Sequence, residues 1–242
     1  MKSWKIFLSV GIIIFIIGIA VLIAGIASGG WKFGKNLEMQ TFTAEQENTS
    51  LDLSLAAGEM KVEYFDGDKI EVDYPSAYPF RYEVKESGGK LSVSPANRGI
   101  SFGWLPWFAK PTVTVRIPSG KVIDLKLSVS AGTARVAGGE FGRLDLDLSA
   151  GYVSVGNSKC ATFTADVSAG SATIDRLDCG NIKIDLSAGS ANLSVNGKKS
   201  DYYITVDKSA GSCNVGGQQG AVAGKVIDID LSAGSVNVSF TD

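Results

Sequence analysis

A three-residue signature, Ser-Ala-Gly, returns at a fixed distance through the second half of the chain. Aligned on its glycine, the segments are LSVSAGTARV (127–136), LDLSAGYVSV (146–155), ADVSAGSATI (165–174), IDLSAGSANL (184–193), VDKSAGSCNV (206–215) and IDLSAGSVNV (229–238), with a divergent LSLAAGEMKV at 53–62. The glycines are Gly58, Gly132, Gly151, Gly170, Gly189, Gly211 and Gly234. Three successive intervals are 19 residues, followed by one of 22 and one of 23. A fixed period near 20 marks stacked units of a solenoid or array.

Within each unit the apolar residues alternate with polar ones. In IKIDLSAGSANL the apolar set is Ile182, Ile184 and Leu186, then Ala191 and Leu193, while Lys183 and Asp185 point the other way. This is the period-two pattern of a half-buried strand. Glycine stands where the chain must turn, because it tolerates positive φ. One unit therefore reads as strand, Ser-Ala-Gly corner, strand, looser corner. Two short strands cannot bury an apolar face alone. Stacking the units buries a continuous core and pairs each coil with the next at ~4.8 Å. A β-sandwich of hairpins is the competing architecture, but it has no reason to repeat its sequence. The expectation is an all-β solenoid of coils 19–23 residues long.

The first part of the solenoid, residues 49–122, is less regular than the repeats at 123–242. Strand-like runs there include MKVEYF, KIEVDY, FRYEVKE, KLSVSP and TVTVRIP. Between Gly58 and Gly132 lie 73 residues, more than three coils' worth. Two divergent coils interrupted by a hairpin or loop insertion near 85–112 account for this length.

Ahead of the β region, residues 6–27 form an uncharged run, IFLSVGIIIFIIGIAVLIAGIA, of 22 residues. At ~1.5 Å per residue it spans the ~30 Å of bilayer hydrocarbon as one transmembrane helix. A cleaved signal peptide has an apolar region of only ~7–15 residues. Lys2, Lys5 and the amino terminus precede the run; Lys32 and Lys35 follow it. The small excess of positive charge on the first side places residues 1–5 in the cytoplasm and the C-terminal bulk outside the cell. Trp4 and Trp31 flank the span at the expected interfaces. Residues 28–48 read as a polar tether.

Composition narrows the chemistry. The chain has no histidine, which removes the commonest general base and metal ligand and any Ser-His-Asp arrangement. The net charge is −2, with no basic cluster, so nucleic acid is not an expected partner. Three cysteines fit no zinc motif. No cofactor site is recognisable.

The order of features, rather than any one motif, resembles a known family. A helix ending at Gly29-Gly30 is followed by LSLAAGEMKVEYFDGDKIEVDY, a KLSVS strand, an aromatic segment before PTVTVRIPSG, and ladders of LSAG units. Together these are similar to the bacterial putative-adhesin (toastrack) domain, a domain of unknown function, over residues 38–242. The resemblance implies a right-handed, single-stranded β-solenoid on a surface-exposed, anchored envelope protein. It carries over no catalytic residue. That family usually has Ser-Gly-Asp or Ser-Ala-Asp corners, whereas here Ser or Tyr mostly follows the glycine.

Several ladders are candidate sites. Asp147, Asp166, Asp185, Asp207 and Asp230 stand four residues before their glycines; Ser130, Ser149, Ser168, Ser187, Ser209 and Ser232 stand two before. Stacked carboxylates ~5 Å apart repel by ~0.8 kcal/mol per pair in water. Hydrogen bonds from serine hydroxyls and corner amides would offset this. A row of cations on Asp147, Asp166, Asp185 and Asp230 is the functional alternative. Asn192, Asn214 and Asn237 share a phase suited to a side-chain amide ladder, or to a carbohydrate-binding strip. Cys160 and Cys179 share a phase in adjacent coils, as buried thiols or a disulfide. Cys213 reads as core. Lys208 occupies a phase held elsewhere by Leu148, Val167, Leu186 and Leu231, which suggests a local bulge.

The regularity fails most at ISFGWLPWFAKP, 100–111. Phe102, Trp104, Leu105, Trp107 and Phe108 either cap an open solenoid end or make a partner or membrane contact. The functional expectation is a non-enzymatic, membrane-anchored envelope module that meets a protein or cell-wall glycan partner, with a role in adhesion or envelope stress signalling. Alternatives are a glycan- or cation-binding module and, more remotely, a polysaccharide-acting β-helix enzyme.

Overall fold

The computed structural model describes residues 38–76, 81–96, 111–220 and 224–241. The span expected at 6–27 and the aromatic residues Phe102, Trp104, Leu105, Trp107 and Phe108 lie outside them. Among the described residues no helix is long and apolar enough to cross a membrane. Among the described residues one turn of 3-10 helix, at Lys199–Asp201, interrupts otherwise all-β structure.

Each coil has the expected two strands around a corner, held by glycine in every described coil but 90–118. One wall of the stack contains β2 (Ser50–Leu55), β6 (Lys90–Pro95), β8 (Ile123–Val129), β10 (Gly139–Leu148), β13 (Tyr203–Lys208) and β15 (Val226–Leu231). The other contains β3 (Glu59–Phe65), β7 (Thr112–Pro118), β9 (Thr133–Val136), β11 (Tyr152–Val155), β14 (Ser212–Cys213) and β16 (Ser235–Thr241). The long β12 (Ser158–Asn196) runs through the corners without a break and contributes two coils to both walls. Pairing between coils is parallel, as in Asp147 with Asp166 and Val153 with Ala172, each 19 residues apart. Alternate residues point inward. Leu51, Leu125, Leu144, Phe163, Ile182 and Ile227 form one buried row, each no more than 2% exposed.

The coils do not stack in chain order at either end. Coil 50–65 lies directly on coil 123–136, through β2 with β8 and β3 with β9. Coil 90–118 lies outside it, through β6 with β2 and β7 with β3. At the far end, β15 and β16 pair with β12, and the earlier β13 and β14 then pair outside β15 and β16. Thus Gly234 neighbours Gly189, and Gly211 comes last. The intervals of 22 and 23 residues are crossings out to this coil and back, not bulges. Strand β13 holds an unbroken register from Tyr203–Val226 to Lys208–Leu231. The bulge expected at Lys208 is absent. Lys208 is exposed because it sits on the outermost coil, where no further coil closes over its phase.

Antiparallel strands cover the first end. β5 (Tyr82–Ser87) pairs with β6; β4 (Glu71–Pro75) pairs with β7; β1 (Met39–Thr43) pairs with β4. Met39–Thr43, expected to belong to the tether over 28–48, form β1 in the sheet instead. Residues 49–122 hold two coils, as expected, together with β4 and β5. Pro111 takes the position that glycine holds in the other coils, with Glu59 N–H donating to its carbonyl at 2.9 Å.

The glycine column explains why the corner is so invariant. Gly58, Gly132, Gly151, Gly170, Gly189, Gly234 and Gly211 all have φ between +93° and +144°. A Cβ on any of the last six would strike the carbonyl of the next glycine and lie 2.8–3.0 Å from its amide nitrogen. The column has a direction, since each such Cβ would point toward the coil nearer the 90–118 end. No described coil lies beyond 90–118, and there the corner residue is Pro111.

Candidate interaction surface

The outer face of the wall before the corners carries two rows of contrasting charge. One runs Asp52, Lys126, Asp145, Thr164, Lys183, Asp228 and Thr205. Its signs mostly alternate. Lys90, from the neighbouring strand, donates to Asp52 at 2.6 Å, and within the row Thr205 donates to Asp228 at 2.5 Å. Two residues along each strand lies the second row: Ser54, Ser128, Asp147, Asp166, Asp185, Asp230 and Asp207. Its last five members are all acidic.

These five aspartates do not take up the hydrogen bonds expected for them. Among the described residues no side chain or corner amide donates to their carboxylates, and Asp147, Asp166, Asp207 and Asp230 are exposed. Solvent rather than the Ser row offsets their repulsion. They run in single file, one per strand at ~4.8 Å. Among the described residues no three acidic or thiol groups converge on a point that could hold a metal ion.

The opposite wall is bonded across coils. Ser190 donates to Ser171 at 2.9 Å, and the Asn237 amide donates to Asn192 at 3.0 Å. Asn214 departs from this ladder. Its amide donates to the Val238 carbonyl at 3.0 Å, and its oxygen accepts from Val238 N–H at 2.8 Å. It thereby clips the outermost coil to its neighbour. Cys160 and Cys179 meet as expected, as free thiols with Sγ atoms 3.0 Å apart. The hydrogen bond to Cys179, together with burial, pushes the Cys160 thiol well up. Cys213, expected in the core, is only half-buried, again because its coil is outermost.

Two polar clusters at the 90–118 end have no counterpart among the sequence expectations. Arg116 on β7 reaches Asp73 at 2.6 Å and Glu71 and Glu63 at 3.3 Å, tying antiparallel β4 to the coils. Desolvation opposes its charge, but bonding to Asp73 and the neighbouring carboxylates raises its pKa further. Glu86 on β5 accepts from Glu45 N–H and Gln46 N–H, each at 3.0 Å, and from the buried amide of Asn48. Desolvation again works against the charge. The Asn48 amide, the two backbone amides and Lys69 outweigh it and hold the Glu86 carboxyl below the usual glutamate range. All these residues lie in the irregular region, where no period marks partners that are about 40 residues apart.

At the other end, a shallow groove follows the outermost strand, between Ile204, Val206 and Asp207 on β13 and Gly217 and Gln218 on the returning chain.

A family model described as Toastrack DUF4097 matches residues 34–242. The structure of a "putative cell adhesion protein" from Clostridium sporogenes is similar over 84% of this chain and 99% of its own, with 15% identity and a TM-score of 0.46. A "putative adhesin" from Bacteroides fragilis is similar over 85% and 98%, with 12% identity and a TM-score of 0.48. A "putative lipid binding protein" from Parabacteroides distasonis is similar over 86% and 98%, with 10% identity and a TM-score of 0.33. No curated protein matches the sequence.

Proposed function

Because the chain belongs to the Toastrack DUF4097 family over residues 34–242, we propose that it is a non-enzymatic interaction module of the cell envelope. In this reading the uncharged run at 6–27 anchors it in the cell membrane, with its N-terminus in the cytoplasm and a right-handed, single-chain solenoid outside. One observation carries the interaction role. The aromatic stretch falls, in the sequence, between β6 and β7, and both flanking strands keep their register with coil 50–65. A connection between two strands held in register can carry a contact while the stack keeps its ends. Its five large apolar residues suit a protein, glycan or membrane-interface partner.

Protease added to intact cells tests the placement. Cleavage of the β domain without lysis is expected; full protection would exclude an envelope-surface role. Replacing Trp104 and Trp107 with Ser tests the contact. The variant is expected to melt as the parent does but to lose its partner or surface association. Unfolding of the variant would make the segment a cap instead.

A further inference from the structure

The outermost strand β13 has a used side and an unused one. Tyr203 N–H and Ser209 N–H donate to Lys225 and Leu231 at 2.9 Å, so the odd-numbered residues bond inward to β15. The even-numbered residues therefore direct their N–H and C=O groups outward. Ile204 uses both on Gln218, in a single antiparallel bridge with two bonds of 2.9 Å. Beyond that bridge the returning chain departs, and no described strand pairs with the outward side of Val206 or Lys208. The groove beside Val206, Asp207 and Gly217 is the space left between them.

Two features select what this edge would accept. The inward phase of β13 runs from buried Ile204 through half-buried Val206 to exposed Lys208, an incomplete end of the apolar core. The outward phase ends the acidic file at exposed Asp207, beside Asp230. An added strand would put alternate residues over Val206 and over Asp207. Apolar residues fit the first position and cationic ones the second. A second copy of this edge would set Asp207 against another acidic file, so like charges oppose self-pairing.

We propose that β13 is a docking edge for an extended peptide of alternating apolar and basic residues, which adds antiparallel to it at Val206 and Lys208 and places Lys or Arg over Asp207. The proposal rests on the interaction-module reading and names one surface for it, on the coil farthest from coil 90–118. The open backbone supplies the hydrogen bonds and the alternation supplies the selectivity, as in other strand additions.

The test titrates the full-length chain, in detergent micelles, with a short capped peptide of alternating valine and lysine. Controls are a valine–glutamate peptide and a valine–lysine peptide N-methylated on alternate amides. Val206→Pro removes one outward N–H without touching the ladder to β15; Asp207→Lys reverses the charge. Each variant is expected to weaken binding at least tenfold, and both control peptides are expected not to bind. Equal binding of the N-methylated peptide, or binding within twofold by both variants, would overturn the proposal. So would a dimer of the chain that Val206→Pro dissolves, because the edge would then belong to a second copy. The N-methylated peptide needs no folded variant. Failure here leaves the protease result on intact cells unaffected, so the two readings fall separately.

Discussion

The two ends of the stack terminate differently. At one, coil 90–118 is covered by antiparallel β5, β4 and β1 and pinned by Arg116 and Glu86. At the other, no described strand covers the outer side of coil 203–215 beyond the single Ile204–Gln218 bridge, and Asn214 clips the coil to its neighbour. Yet both ends share one device. The coil nearest each chain terminus, 50–65 or 226–241, is never the outermost; it lies between two others. Terminal segments are the usual sites of fraying, and pairing on both sides suppresses it. Covering the edge and burying the terminus are thus separate solutions, and only one end uses both.

The glycine column gives the most severe way to break this comparison. Gly151→Ala puts a Cβ against Gly132 at positive φ and is expected to cost roughly 3–5 kcal/mol, combining backbone strain with overpacking. Gly211→Ala should cost as much although its coil is outermost, because its Cβ points inward at Gly234. Urea denaturation of both variants measures this. A mild effect at Gly211 would show that the open end relaxes where the middle cannot. Gly120→Ala, at φ +79° with open space around it, sets the cost of conformation alone, at about 1–2 kcal/mol.

Arg116→Met should act on the covered end alone. We expect a loss of about 1–2 kcal/mol, typical of charge-assisted bonds at a partly exposed site. Amide exchange should speed up in β1 and β4 and stay unchanged in β13. Faster exchange at both ends would mean that the stack opens as one unit.

Neutralising the acidic file should stabilise the protein slightly. Asp166→Asn removes one carboxylate from between two others and should gain a few tenths of a kcal/mol at low salt, fading by 0.5 M as screening sets in. A loss of stability would reveal bonds to that side chain which the fold does not show.

Glu86 supplies a pH signature for the covered end. Its folded pKa lies below the unfolded value, so its contribution is complete above the ordinary glutamate range and fades as pH falls through the depressed one. Melting temperature should fall on acidification, and Glu86→Gln should flatten that slope. A slope that survives the substitution would assign acid sensitivity to other groups. Tyr202 gives the opposite sign. Burial, with Asp178 nearby, pushes its phenol up to about 12. Its contribution is complete below pH 10 and is lost as pH rises through the folded value.

Much of the fold is legible in the chain. The 19-residue phase predicts that Cys160 meets Cys179 and Asp147 meets Asp166, because parallel in-register stacking makes phase equivalent to contact. It fails for Lys208 and Cys213. Their phases are apolar in every coil that has neighbours on both sides, and nothing local marks these two as belonging to an end. Arg116 and Glu86 were unreadable for another reason. Arg116 meets Glu71 and Asp73 on antiparallel β4, and Glu86 on antiparallel β5 meets the loop at 45–48, and no repeat sets either register.

The sequence by itself determined the unit: two strands with alternating faces, a corner that admits only glycine beneath another coil, and a period that fixes which residues stack. Only the tertiary structure decided the order of the units. Coils with matching phases can pair with one another on nearly equal terms, so pattern cannot say which lies beside which. That choice falls to connection length and to the need to cover an end. It set the last coil of the chain inside the one before it, left β13 at an edge, and gave the Ser-Ala-Gly column its direction.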